Sequence, residues 1–268
     1  MANIAIVIYS MYQHISTLAE EVKIGIESTG NKATIYQVAE TLPDEVLTAM
    51  YAPEKPNYPI ATTEILTESD GILFGFPTRF GNLPAQLKSF IDSTGGLWQQ
   101  GKLYHKPAGA FISTGSNGGR ETTIYSLIST LSHHGMLYIP LGYASAFTEL
   151  TNLNEVHGSS PWGAGTIAGP DGSRKPSELE LKIAKIQGIE FSKAVIKLTN
   201  KKEVNIATTT TTTTTTNNNN NKKEEDKSNV EKKQEVTTKK ESTTTKTVTP
   251  VKEKKRNPIV RFFKKIFD

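Results

Sequence analysis

Three short stretches of this chain carry residues suited to holding a flat, anionic ligand. The first is Tyr9-Ser10-Met11-Tyr12-Gln13-His14-Ile15, where a serine closes an apolar run and leads into a helical pattern. The free N–H groups of a helix start, with the Ser10 hydroxyl, hold a phosphate without any Lys or Arg. The same serine serves equally as an ordinary helix cap. The second is Phe76-Pro77-Thr78-Arg79-Phe80-Gly81-Asn82, in which Thr78 and Arg79 offer donors beside the Phe80 ring. Its Pro, Gly and Asn also suit a plain surface turn. The third, Ser113-Thr114-Gly115-Ser116-Asn117-Gly118-Gly119, has glycines that let a backbone approach a planar ring closely, or that simply make a loop flexible. None of them is Gly-x-x-x-x-Gly-Lys-Ser/Thr or Gly-x-Gly-x-x-Gly, so a Walker A site and a dinucleotide fingerprint are excluded.

The elements around these stretches decide whether they meet. Ile4–Tyr9, Ala33–Val38, Gly71–Phe76, Ala108–Ser113 and Leu137–Ile139 read as strands. Several are apolar almost throughout, as parallel strands covered on both faces must be. Helical patterns lie between them, at His14–Ser28, Leu83–Asp92 and Glu121–His134, and a last one runs from Ser177 to Leu198. Strands alternating with helices predict an α/β fold with a doubly wound, five-stranded parallel sheet. Ligands of such sheets sit at the carboxyl ends of the strands. The loops after the first, third and fourth strands are the three stretches above, and the topology predicts that they share one edge.

Charge divides the chain of 268 residues unevenly. Residues 1–199 hold 14 basic and 18 acidic side chains, and residues 200–268 hold 17 and 9. The overall +4 is therefore no sign of a nucleic-acid-binding domain. The absence of cysteine excludes disulfides, thiolate metal sites, a cysteine nucleophile and S-acylation. No apolar run reaches the roughly 20 residues of a membrane span, nor a signal peptide's pattern, which predicts a cytosolic protein or one on a membrane facing the cytosol. The adjacent His133 and His134 lack further ligands at metal-site spacing and suit a helix end. No metal site is expected, and Asp92 and Glu121 are assigned no acid–base role.

Beyond Thr199 the composition changes to a threonine run, an asparagine run and Lys/Glu/Thr clusters. So few large apolar side chains cannot offset the entropy of ordering the backbone. The expected organisation is a folded domain at 1–199, a disordered linker at 200–258 and a short amphipathic helix at 259–268. In that last segment Ile259, Phe262, Phe263, Ile266 and Phe267 form one stripe, with Arg261, Lys264 and Lys265 off it. Lys252, Lys254, Lys255 and Arg256 lie just upstream. The pattern suits an anionic membrane surface; a nuclear import signal and a partner-docking helix are the alternatives.

Six stretches in order resemble the WrbA-type NAD(P)H:quinone oxidoreductases, a branch of the flavodoxin-like fold. They are residues 10–15, 77–82, 90–98 (Phe-Ile-Asp-Ser-Thr-Gly-Gly-Leu-Trp), 113–121, 133–136 (His-His-Gly-Met) and 161–169 (Pro-Trp-Gly-Ala-Gly-Thr-Ile-Ala-Gly), within about residues 1–198. The resemblance implies FMN as cofactor, its phosphate at Ser10, Met11, Tyr12, Gln13, His14 and Ile15. It places the flavin ring against Pro77, Thr78, Arg79 and Phe80 and against Ser113, Thr114, Gly115, Ser116, Asn117 and Gly118, with His133 touching the flavin. Tyr12 is implied to contact NADH or NADPH, and Trp98 to line the quinone side. The implied activity is a ping-pong, two-electron reduction of quinones to quinols, protective against oxidative stress near a membrane, in a homo-oligomer built partly by the Gly142–Gly172 insertion. Gln13 departs from the family, which has glycine there; a positive φ at that point would strain the turn. Two other classes fit the residues: a flavodoxin-like one-electron carrier, and a non-catalytic organising protein at a membrane.

Overall fold

Ile4, Ile6 and Ile8 alternate with Ala5, Val7 and Tyr9, and all six side chains are buried because both faces of their strand are covered. The structure is a computed structural model that describes residues 1–211, with side chains as far as Thr199. Its elements in order are β1 (Asn3–Ile8), α1 (His14–Glu27), β2 (Lys32–Gln37), α2 (Asp44–Ala49), α3 (Thr63–Glu68), β3 (Gly71–Pro77) and α4 (Ala85–Asp92). They continue with α5 (Gly95–Gln99), β4 (Pro107–Thr114), α6 (Arg120–His133), β5 (Leu137–Tyr138), α7 (Phe147–Leu150), β6 (Gly165–Ile167) and α8 (Glu178–Thr211). Residues 212–268, with most of the expected linker and the whole basic segment at 259–268, lie outside the described residues. α8 itself runs past residue 199, where the folded part was expected to stop.

The strands pair in parallel in the order β2-β1-β3-β4-β5, the flavodoxin-like order of a doubly wound sheet. Ile4, Ile6, Ile8, Leu73 and Phe111 face Ile15, Leu18, Val22 and Ile26 of α1 and Ile183, Phe191 and Val195 of α8. Ala5, Val7, Ile72, Phe74 and Phe76 face Leu87 and Ile91 of α4 and Leu127 and Leu131 of α6. α1 and α8 touch backbone to backbone through two glycines. A Cβ on Gly25 would lie 2.2 Å from the Lys185 carbonyl oxygen, and one on Gly188 2.1 Å from that of Val22.

The expected five-strand path is present, and a sixth strand joins it. β5 pairs with Pro107 and Ala108 at one end of β4, and β6 pairs with Ile112, Ser113 and Thr114 at the other. The Gly142–Gly172 insertion thus divides the edge position between two short strands. β6 is Gly-Thr-Ile, too short for a period of two to register in the sequence. Its consequence is a third wall beside the loops after β1, β3 and β4.

Candidate functional site

β1 ends where Tyr9 N–H donates to the Gly75 carbonyl at 2.9 Å, and the chain then turns through residues 10–13 into α1. Gln13 precedes the helix at φ 66°, and its carbonyl accepts the Thr17 N–H at 2.9 Å and the Ser16 hydroxyl at 2.8 Å. Ser10 caps from one turn back, its Oγ accepting the Ser16 N–H at 3.3 Å. Among the described residues, the backbone N–H groups of Met11, Tyr12, Gln13, His14 and Ile15 have no protein acceptor. They gather at the positive end of the α1 dipole. Two side chains brace the turn from outside: the Tyr12 hydroxyl donates to the Met50 carbonyl at 3.1 Å and Gln13 Nε2 to that of Glu54 at 3.0 Å.

The loop after β3 is tied to β4 by the Thr78 N–H, which donates to the Ser113 carbonyl at 2.9 Å, and to α6 by a hydroxyl pair between Thr78 and Thr123. Arg79 and Asn82 then exchange backbone hydrogen bonds around Phe80 (φ 53°) and Gly81 (φ 76°). Such a turn favours Asn-Gly, so a bulky aromatic at φ > 0 is a strained choice. The Phe80 ring is fully exposed. At the end of β4, Ser113 and Thr114 are buried and Gly115 is exposed. The third wall follows β6: the Ala168 N–H donates to the Thr114 carbonyl at 2.7 Å, and Gly169 and Gly172 bend the chain at φ 81° and 74°.

These loops enclose a cleft of about 390 Å³, lined by Ser10, Met11, Tyr12, His14 and Ile15, by Pro77, Thr78 and Arg79, by Ser113, Thr114 and Gly115, and by 168–172. Beyond β2, Glu40 collects the Tyr9 hydroxyl, Lys55 Nζ at 2.6 Å, Gln86 Nε2 at 2.9 Å and the N–H groups of Thr41 at 2.9 Å and Leu42 at 3.2 Å. Burial alone would raise the Glu40 carboxyl, but Lys55, the Leu42 and Thr41 N–H groups and Gln86 outweigh it and hold it at about 2. Burial, and then the Glu40 charge, push the Tyr9 phenol well above its ordinary value, so it stays a donor.

The model of the NADPH-dependent FMN reductases matches residues 11–149, just over half of the chain. The chain belongs to that family. An NAD(P)H quinone oxidoreductase of Candida albicans, PST3, is 60% identical over 196 residues, 73% of this chain and 98% of that protein. Protoplast secreted protein 2 of Saccharomyces cerevisiae is 58% identical over 197 residues (74% and 100%). The quinone-oxidoreductase QR2 of Triphysaria versicolor is 53% identical over 189 residues (70% and 92%). In fold, the chain is similar to a solved WrbA-like flavodoxin from Agrobacterium tumefaciens, with a TM-score of 0.51 at 22% identity over 74% of this chain and 99% of that one.

As an FMN reductase family member the chain is an FMN-dependent oxidoreductase, and its residues fit the cofactor. The unpartnered N–H groups at the start of α1 match a phosphate, and the cleft between the β3 and β4 loops has room for a planar ring. Of the residues expected at the cofactor, Gln13, Phe80, Ser116, Asn117 and Gly118 do not line the cleft. Gln13 turns its amide outward to Glu54, and the others are exposed. His133 and Trp98 are not brought to the cleft within one chain. They line a second, shallower cleft with Lys88, Asp92 and His134. α6 has its Arg120 end beside the β4 loop and runs for about 20 Å before reaching His133. The wall at 168–172 was missed by sequence reasoning; Gly169-Pro170-Asp171-Gly172 is a turn signal, yet nothing local says which loop it faces.

Proposed function

We propose that the chain is an NAD(P)H:quinone oxidoreductase with FMN in the cleft beside α1. The observation that carries the reading is the row of unpartnered N–H groups from Met11 to Ile15 opening into that cleft, in a chain whose relatives bear this activity in their names. The chemistry that FMN supplies when bound is two-electron exchange between a reduced nicotinamide and a quinone. The protein's part is position. Ser10 and the α1 N–H groups take the phosphate; Pro77, Thr78, Arg79, Ser113, Thr114 and Gly115 wall the ring; residues 168–172 close the third side against water. Tyr12, its hydroxyl fixed by Met50, offers the nicotinamide nucleotide a held aromatic face at the rim. Donor and quinone use that rim in turn, which makes the cycle ping-pong. Purified protein titrated with FMN tests the reading: saturable binding, bleaching by NADH and recovery with quinone are expected, and protein that takes up no FMN overturns it.

Trp98, 58% exposed, and His133 sit in the second cleft, and the bare Phe80 ring follows Arg79, which lines the first. These exposed groups support a homo-oligomer in which one copy's Trp98 and His133 complete another's cofactor site. Sedimentation of a fully active monomer would remove this arrangement. Among the described residues no helix is long and apolar enough to cross a membrane. We place the reductase on the cytosolic face of a membrane through its terminal segment, with Lys252, Lys254, Lys255, Arg256, Arg261, Lys264 and Lys265 on anionic headgroups and Phe262, Phe263 and Phe267 in the interface. There it would keep lipid-soluble quinones reduced under oxidative stress. Full-length protein should float with phosphatidylserine liposomes at low salt, and protein lacking residues 251–268 should not; equal flotation of the two sinks the anchor.

A further inference from the structure

Glu180, in the first turn of α8, is wholly buried, and its carboxylate accepts five hydrogen bonds. Oε1 takes the N–H groups of Gly158 at 2.9 Å and Ile167 at 3.1 Å. Oε2 takes the Thr166 hydroxyl at 2.7 Å, Arg174 Nη1 at 2.9 Å and the Ser177 N–H at 2.9 Å. A buried carboxylate is tolerated when its lone pairs are matched and a cation is paired with it, and both conditions are met here. The donors come from three places: the loop before β6, β6 itself, and the segment leading into α8. Arg174 extends the network, its Nη1 donating to the Ile167 carbonyl at 2.7 Å and its Nη2 to that of Val156 at 3.0 Å. Its backbone N–H reaches the Ala168 carbonyl at 3.0 Å. Its own carbonyl accepts from His14 Nε2 at 2.9 Å, at the first residue of α1.

The cleft wall at 168–172 therefore hangs between two residues, Ile167 and Arg174, that are both held by one carboxylate. On its far side Arg174 is fastened to the helix whose N-terminus faces the cleft. β6 contributes only three residues to hold the wall, and two left-handed glycines bend it, so the local backbone cannot set its position alone.

We infer that Glu180 is a positioning residue for the cofactor cleft: through β6 and Arg174 it fixes the wall at 168–172 against the start of α1, and so sets the affinity for FMN. The inference rests on the reading that this cleft takes FMN. Glu180 touches no cofactor atom; it lies behind the wall.

The test strips FMN from full-length protein and titrates it back by quenching of flavin fluorescence, with thermal unfolding of the stripped protein alongside. Glu180→Gln keeps the shape but sets N–H donors against Arg174, Thr166 and the Ser177 N–H; it should raise the FMN Kd at least tenfold. Arg174→Gln, at a partly exposed side chain, should raise it at least threefold. Val195→Ala, which removes a buried methyl pair from α8 far from the network, should lower the unfolding temperature and leave the Kd unchanged. Kd values within twofold of wild type for Glu180→Gln, or for Arg174→Gln if the first variant does not fold, overturn the inference. So does a Val195→Ala Kd raised as far as theirs, because the effect would then be general loosening. Wild-type protein that binds no FMN overturns the functional reading and this inference with it, and is told apart because it is read on wild type alone.

Discussion

Gln13 sits at φ 66°, in the left-handed region that costs a residue with a Cβ about 1–2 kcal/mol. Its amide recovers part of that through the bond to the Glu54 carbonyl, an exposed hydrogen bond contributing at most about 1 kcal/mol. The two terms can be separated because they respond to different substitutions. Gln13→Gly removes the strain and the bond together and should raise the unfolding free energy by about 0.5 kcal/mol, after the added flexibility of the unfolded chain. Gln13→Ala keeps the strain and loses the bond, and should lower it; urea melts showing the same sign for both would refute this account. Gly115 differs in kind, since its φ is not positive and a Cβ there would lie 3.5 Å from the Gly169 carbonyl oxygen, an ordinary contact. The backbone accepts a side chain, but valine methyls would stand between the β4 loop and the wall that follows β6. Gly115→Val should therefore weaken FMN binding at least tenfold with an unchanged circular dichroism spectrum. Unchanged affinity would show that this loop does not meet the ring.

At the scale of elements, the cleft stands on contacts that cross between loops. Glu40 follows β2, yet it collects Tyr9 from the end of β1, Gln86 from α4 and Lys55 from the next loop. Its folded value of about 2 lies below the ordinary 4.5, so the carboxylate stabilises the native state fully above pH 4.5. That contribution is lost as the pH falls from 4.5 through 2. Unfolding free energies measured across this window should fall for wild type and fall less for Glu40→Gln, the two curves converging at the acid end. Parallel curves would mean that the loop network carries no such weight. The short helices α2, α3, α5 and α7 and the strand β6 belong to the same scale. The helices are six residues or fewer, under two turns, and β6 is three residues, under two alternations, so neither period can be told from a loop. The long elements are legible because their burial repeats, and β1, α1, β3, β4 and α6 fall within about two residues of where their apolar periods place them.

For the molecule as a whole, α8 closes the sheet face that α1 covers, and the last of its fully buried side chains is Val195. A chain ending at Asn200 keeps every one of those anchors. It should retain FMN binding and quinone turnover within about twofold of full length, while losing liposome binding. A collapse of kcat on truncation would mean that the tail takes part in the cleft. The charge division supports this separation, with an acidic front of net −4 and a basic remainder of net +8, from 14 against 18 and 17 against 9 charged side chains.

By itself the sequence determined the doubly wound sheet and the edge at which the three loops meet. Runs such as Ile4–Tyr9 can be buried only between two layers of helices, and the loops after the first, third and fourth strands then converge whatever their composition. Family motifs added FMN and the nicotinamide. Tertiary structure alone decided the rest. It set the third wall of the cleft, because β6 pairs with β4 across some 50 residues of chain and its three residues carry no period of their own. It made Glu180, one acidic residue among many in the sequence, the point on which that wall hangs. It also brought His133, at the far end of α6, together with Trp98 in the second cleft, across about 35 residues of chain.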